Sequence, residues 1–521
     1  MKQQKKFKLV YKRRALIIST LLGQIALTIF LIIGTGLYLK YVYWILPIIS
    51  VIVCIYVLNK QEKAGYKLTW IFIIMLVPIF GGILYILFNI ISSPKKLRMA
   101  LDVNMANSHT AFYLPGNRLD EFLNAHPEYR TNAQYLQEYA GFPIYANTRQ
   151  EYLPSGEAFF YRVLEELKKA QKYIFLEFFI LKEGMMLNSI LKILEMKAAD
   201  GLDVRIMYDD LGCFYTLPQD FRDNLNKKGI KTYVFNPFKP IVSSLQNNRD
   251  HRKIISIDGR VAFTGGLNLA DEYINVVERF GHWKDAAIMI EGDAAWSLTL
   301  IFLQMWNLSN HAVDTEETES YAFYYPGQPE TINAAQSNKA WGFVQPYADS
   351  PIDKENVGEH VYIQIINQAK KYVYINTPYL IVDDNLLSAL TLAAKSGVDV
   401  RIITPHRWDK KIVAITSRSY YRRLIQAGVK VYEYSSGFNH GKTFVSDDKI
   451  ATVGTTNLDF RSLYLHFECG VLIYASDEIK AVKEDFMRTL PICQEMTIKD
   501  CARNTFQRII QDVLRIIAPL L

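Results

Sequence analysis

The sequence predicts an α/β protein made of two repeated α/β halves in one bilobed domain, preceded by N-terminal transmembrane helices. Three observations predict it. Long uncharged runs crowd the chain before residue 94. Beyond residue 135, buried-strand patterns alternate with helical ones. The second part of that region then repeats the first, segment by segment.

The uncharged runs cover residues 15–39, 41–59 and 68–93. About 20 apolar residues in a helix span a bilayer core, so all three are long enough. Further apolar runs follow the first and no small-residue cleavage site is evident, which argues against a cleaved signal peptide. Basic residues precede the first run (Lys5, Lys6, Lys8, Lys12, Arg13, Arg14), follow the second (Lys60, Lys63, Lys67) and follow the third (Lys95, Lys96, Arg98). All three clusters belong on the cytoplasmic side if positive charge stays inside. Two spans and a re-entrant third segment, broken near Pro78 and Gly81-Gly82, satisfy this and place the rest of the chain in the cytoplasm. Residues 1–98 therefore read as a membrane anchor and 99–134 as a polar connector.

The repeat begins with residues 170–177 (AQKYIFLE) and 369–376 (AKKYVYIN), each a helix end running into a strand. Residues 198–206 (AADGLDVRI) and 393–402 (AAKSGVDVRI) each read as a helix, a glycine stop and a strand. Residues 228–231 and 427–430 repeat the device. Strands alternating with helices predict mainly parallel sheets. The halves fall at 135–309 and 346–502, with a loop-rich junction at 310–345. The last stretch, 503–521, sets apolar pairs among Arg508, Asp512 and Arg515. It reads as an amphipathic helix, lying on a membrane surface or packed on the domain.

Each half carries a His-x-Lys-x4-Asp motif: His251, Lys253 and Asp258 in the first, His440, Lys442 and Asp447 in the second. Downstream, Gly265, Gly266 and Asn268 match Gly454, Thr455 and Asn457 without a gap. A lone His-x-Lys is weak, but two copies in register, each after a matching α/β unit, are a strong signal. Residues i and i+2 of an extended strand face one side, so each His and Lys enter one site. Together the halves supply two imidazoles and two ammonium groups. Small residues at 265–266 and 454–455 let backbone N–H groups approach an anion, and Asn268 and Asn457 can donate to it. Such a site suits a phosphate and needs no metal and no cofactor. One histidine can attack phosphorus while the other protonates the leaving alkoxide and later deprotonates the incoming alcohol. An imidazole in either role needs its second nitrogen held by an acceptor. Asp285, 34 residues after His251, and Glu468, 28 residues after His440, are the candidates.

These residues resemble the phospholipase D superfamily, and within it the bacterial cardiolipin synthases. The resemblance covers roughly residues 135–521. It rests on 248–253 (NRDHRK), 265–273 (GGLNLADEY), 377–380 (TPYL), 417–421 (SRSYY) and 454–462 (GTTNLDFRS), with 78–85 (PIFGGILY) similar to the family's anchor. It implies two phospholipase D-like halves and transfer of a phosphatidyl group between two phosphatidylglycerol molecules, giving cardiolipin and glycerol. It implies His251 as nucleophile and His440 as general acid/base, Lys253 and Lys442 on the phosphate, and Asp258 and Asp447 as the motif aspartates. The implied setting is a bacterial cell membrane and a multi-pass chain, with no nucleic-acid partner. Three features depart from the family: Gly441 for the usual Ala, His466 for the usual Asn, and the extra run at 15–39.

Composition narrows the alternatives. A formal net charge of +7 suits an anionic partner, lipid or nucleic acid. The five cysteines form no CxxC pair, which argues against a disulfide framework or a zinc site. The same motifs would serve a phospholipid hydrolase or a membrane-tethered nuclease, and intact motifs in both halves speak against a non-catalytic scaffold.

Overall fold

The computed structural model describes residues 39–76, 81–82, 85–86, 95–238, 244–310, 321–327, 341–353, 355–501 and 504–520. The run expected at 15–39 lies almost wholly outside them. The chain divides into two compact units: one within Met1–Pro94, Asn236–Asn248 and Leu520, the other within Lys95–Phe235, Arg249–Pro519 and Leu521.

In the first unit, helices Leu39–Asn59 and Ala64–Leu76 pack through Val53, Val57, Trp70 and Ile74, with Trp70 edge-on to Tyr85 at 5.2 Å. Gly81 is helical and allows close approach, since a Cβ there would meet the Ile74 Cα at 2.6 Å. Among the described residues, no helix is long and apolar enough to cross a membrane.

The second unit holds the repeat. In its first half a sheet of seven strands runs in the order Thr148–Leu153, Ala287–Gly292, Val261–Gly265, Ile254–Ile257, Tyr173–Phe178, Asp203–Asp209, Lys231–Phe235. The second half repeats it as Phe343–Asp349, His466–Tyr474, Ile450–Gly454, Thr443–Ser446, Tyr372–Asn376, Asp399–Pro405, Lys430–Tyr434, and adds Cys493–Glu495 at the edge. Buried aliphatic and aromatic side chains dominate both sheets, as expected where helices cover them. The expectation of mainly parallel sheets is corrected. Only the last three strands of each common order are parallel, and the rest pair antiparallel. After the third parallel strand the chain returns through the motif strand and a tight hairpin, which reverses direction.

The stretch 99–134 is more than a connector. It forms helices within Lys95–Phe112, Leu119–Ala125 and Arg130–Gln134. The Trp296 indole donates to the Ala111 carbonyl at 2.7 Å, and the Tyr145 hydroxyl to that of Phe112 at 2.8 Å. Of the junction at 310–345, residues 321–327 and 341–345 are described, and the Tyr173 hydroxyl donates to the Tyr324 carbonyl at 2.8 Å.

Asp258 and Asp447, grouped by motif with the catalytic residues, are placed elsewhere. Strands Ile254–Ile257 and Thr443–Ser446 separate them from the lysines, about 16 Å along an extended chain. Each sits in the hairpin turn at positive φ, 53° and 55°, which an Asp tolerates better than most residues. The Asp258 carboxylate accepts from the N–H groups of Gln171, Lys172 and Tyr173 at 2.8 Å each. Asp447 accepts from Lys370, Lys371 and Tyr372 at 2.7, 2.9 and 2.9 Å. The motif aspartate thus ties the hairpin to the entry of the central strand. Asp258→Ala is expected to cost about 2 kcal/mol through lost bonds to backbone donors. A lowered thermal midpoint with kcat largely kept by the folded protein checks this. Unchanged stability with lost kcat would return Asp258 to the chemistry.

Candidate active site

Two short strands carry the motif histidines across from one half to the other. Arg249–Asp250, leading into His251, pairs in parallel with His466 and Phe467 of the second half. His282–Lys284 of the first half pairs in parallel with Gly437–Asn439, leading into His440. The His251 N–H donates to the Phe467 carbonyl at 3.0 Å, and the His440 N–H to that of Lys284 at 2.6 Å. Each histidine is therefore seated beside the next acidic residue of the opposite half. His251 Nδ1 lies 2.8 Å from Glu468 Oε1, and His440 Nδ1 lies 2.6 Å from Asp285 Oδ2. The sequence pointed to both carboxylates, each as a candidate downstream of the histidine of its own half. The pairing is crossed.

A carboxylate at Nδ1 fixes that nitrogen as the donor and leaves the Nε2 lone pair as the reactive one. The carboxylates are fixed in turn. The Thr455 hydroxyl donates to Glu468, and Asp285 Oδ1 accepts from the Ala286 N–H at 2.8 Å. Gly266 provides the space, since a Cβ there would lie 2.0 Å from Asp285 Oδ1 and 2.9 Å from the His440 carbonyl. Aromatic rings pack on both imidazoles: Phe179 on His251 at 5.1 Å, Trp283 and Tyr273 on His440 at 5.3 and 5.7 Å.

The lysines come to the same place. Lys253 Nζ donates to the His251 carbonyl, and Lys442 Nζ donates to that of His440 at 2.5 Å. Charges of one sign are crowded here. Burial and then Lys253 push the His251 imidazole well below its usual range. Burial and Lys442, opposed by Asp285, bring His440 to about 4. Burial lowers Lys253 to about 8 and Lys442 to about 7. Both imidazoles are therefore neutral near pH 7, and a phosphodiester anion between these groups would relieve the repulsion. The sign of the pH dependence follows. Below about pH 7 both lysines are cations, and rising pH removes their charges through about 7 and about 8. Falling pH protonates His440 only near about 4. The kcat/KM profile, which reports the free enzyme, is expected to fall on the alkaline side across those lysine values. A profile flat to pH 9.5 or so would contradict the lysine assignment.

The groups expected to touch phosphate at 265–268 and 454–457 are largely spent on the protein. The N–H groups of Gly266 and Thr455 donate to Ala286 and Cys469 carbonyls, each at 2.9 Å, because their strands continue into neighbouring ones. The Thr455 hydroxyl, engaged by Glu468, also takes the Cys469 N–H at 2.9 Å. Asn268 donates to the Tyr273 hydroxyl at 2.7 Å and accepts from the Ile180 N–H at 2.9 Å. Asn457 hydrogen-bonds Asp459. These residues brace the site, and the lysines and imidazoles are left to face the anion.

His466 has a place the sequence did not foresee beyond its departure from the family pattern. Its ring centroid is 5.4 Å from that of His251, its Nδ1 is 3.9 Å from Glu468 Oε1, and among the described residues neither ring nitrogen has a hydrogen-bond partner. His251, His466 and Glu468 bring possible ligand atoms within 4.8 Å, a set that could hold a metal. Yet Arg461, Lys253, Arg249 and Lys410 act on His466 electrostatically, and this cationic setting disfavours a further cation. Arg252 was also missed. Its guanidinium donates to the carbonyls of Glu468 and Asp349 at 3.1 and 3.2 Å, fastening the first motif to the second half.

Comparison with known proteins agrees with the two-half fold. The family model described as cardiolipin synthase, PLD-like domain, matches residues 163–306 and 362–490, one segment in each half. The chain belongs to this phospholipase D-like family. A second model, phospholipase D-nuclease N-terminal, matches residues 45–88. A cardiolipin synthase of Halalkalibacterium halodurans is 32% identical, over 94% of this chain and 98% of that one. A cardiolipin synthase 2 of Bacillus anthracis is 33% identical, over 90% and 89%. An uncharacterized protein of Streptococcus mutans is 43% identical over 90% and 99%. The solved phosphatidylserine synthase of Haemophilus influenzae shares the phospholipase D-like fold, with a TM-score of 0.54 at 15% identity over 74% of this chain and 96% of that one.

Proposed function

We propose that the protein is a cardiolipin synthase that transfers a phosphatidyl group from one phosphatidylglycerol to another. The observation that carries this reading is the crossed pair His251–Glu468 and His440–Asp285, which joins two oriented imidazoles and two buried lysines across the halves. His251 Nε2 attacks phosphorus and forms a P–N bond as the P–O bond to glycerol breaks. A proton delivered through His440 neutralises the departing alkoxide, giving free glycerol. His440 then takes the proton from the terminal hydroxyl of a second phosphatidylglycerol, whose oxygen displaces His251 and gives cardiolipin. The lysines stabilise the phosphoryl oxygens throughout. The neutral state of His251 supports its role as nucleophile, and the proton on His440 is acquired with the anionic substrate.

The relatives named as cardiolipin synthases and the N-terminal match support a membrane setting. So does the first unit, whose helix Leu39–Asn59 carries the apolar side chains Val51, Ile52 and Ile55, 55–60% exposed. The reading is a bacterial membrane anchor with the catalytic unit on the cytoplasmic side, as the basic clusters suggest. Mass spectrometry of the products from phosphatidylglycerol tests the reaction. Cardiolipin with glycerol is expected. Phosphatidic acid without cardiolipin would make the protein a hydrolase, and turnover of a nucleic acid instead would make it a nuclease.

A further inference from the structure

The C-terminal helix Thr505–Ile517 is not used by the chemistry, and its three sides have different surroundings. It packs against helix Lys411–Gln426, with Gln511 and Leu514 half-buried. Arg508, Asp512 and Arg515 occupy a second side, where Arg515 pairs with Asp512 at 3.1 Å. On the third side Phe506, Ile509, Ile510 and Val513 are 71%, 55%, 37% and 43% exposed. At 3.6 residues per turn these four fall within an arc of about 100°. Four large apolar side chains in one row are a contiguous patch, unlike scattered exposed residues.

We propose that this face docks on the surface of an anionic phospholipid bilayer, with the helix lying in the plane of the interface. Three observations favour a lipid surface over a second copy of the chain. The row is about 11 Å long and one side chain wide, well under the roughly 800 Å² per partner of a stable protein interface. Basic groups lie on the polar side of the helix and on its neighbour: Arg508 and Arg515 on the helix itself, and Arg422 and Arg423 on helix Lys411–Gln426, with Arg422 close enough to act on Cys501 and Arg515 on Tyr420. Asp512 pairs with Arg515 and Asp384 with Arg423, so these groups keep a net positive charge that suits anionic headgroups. An apolar stripe on a helix whose polar side carries arginines is also the pattern of helices held at a membrane surface. The docking face concerns where the second unit meets lipid, and it stands whether the acceptor is an alcohol or water.

Ile509→Asp/Val513→Asp in the full chain tests it. Glycerol release is followed on vesicles of long-chain phosphatidylglycerol and on a short-chain phosphatidylglycerol below its micelle concentration. Either transfer or hydrolysis releases glycerol, so failure of the synthase reading leaves this test intact. The rate on vesicles is expected to fall about tenfold while the short-chain rate stays within about twofold, since two buried aliphatic side chains are replaced by charges. Equal falls on both substrates, or no fall on either, would overturn the docking. Amide exchange over 504–517 in the vesicle-bound full chain gives a readout independent of activity. Protection in the parent that the variant loses is expected. Equal exchange in both would overturn the proposal, and so would protection that disappears as protein is diluted at constant lipid, which would assign the face to a second copy.

Discussion

The His251→Ala variant is expected to lose at least about 10⁴-fold in turnover, because it removes the proposed nucleophile. Stability is expected to change little. The imidazole contributes one hydrogen bond, to Glu468, and its removal leaves that carboxylate still held by Thr455. His440→Ala is expected to lose about as much, since it removes the proton path to the departing alkoxide and from the incoming alcohol. Removing both is expected to cost little more than removing one, as for residues that act as a unit. The measurement is glycerol release from phosphatidylglycerol by the single and double variants, with thermal unfolding alongside. Residual activity of a few per cent in either single variant would refute a shared site.

The second large effect belongs to the carboxylates. Glu468→Gln and Asp285→Asn keep the size of the side chain but offer the Nδ1 position an amide that can donate. The imidazole can then take the tautomer with its proton on Nε2, which blocks attack. A loss of about 10⁴-fold is expected for each, by analogy with amide replacement of the triad aspartate in serine proteases. The crossed pairing adds a discriminating result. If His251 is the nucleophile, Glu468→Gln impairs formation of the intermediate. Asp285→Asn, acting on His440, impairs protonation and resolution. Rapid-quench measurement of intermediate formation and breakdown separates the two, and equal effects on both steps from both variants would contradict the division of labour.

Much of this was legible in the sequence for a physical reason. A repeat with matched spacing folds into matched elements, so the two halves and the motif strands could be found by aligning the chain with itself, and the orienting carboxylates as acidic residues among apolar ones downstream of each motif. The crossing of the carboxylates could not. It depends on 249–250 pairing with 466–467 and 282–284 with 437–439, contacts between segments more than 150 residues apart that leave no periodic mark. Strand direction was equally hidden, because a buried strand carries the same apolar run in a parallel or an antiparallel pair. Motif membership groups Asp258 and Asp447 with the catalytic residues, which they follow closely, while the fold sets them beyond the end of the motif strand. Spacing misled at Gly266, Asn268, Thr455 and Asn457. Small and amide residues near a phosphate site suggest anion contacts, whereas here the neighbouring strands and side chains take up the donors. His466 stood out in the sequence only as a substitution, and its place beside His251 needed the fold.

The most direct test of the central claim, one composite site in which one half supplies the nucleophile, is to trap the phosphatidyl-enzyme and locate it. The full chain is mixed with labelled phosphatidylglycerol, quenched in the alkaline range where phosphohistidine survives, and its peptides are mapped by mass spectrometry. The label is expected on His251 and absent in His251→Ala. Label on a residue outside the two motifs, or turnover without any labelled peptide, would contradict the account.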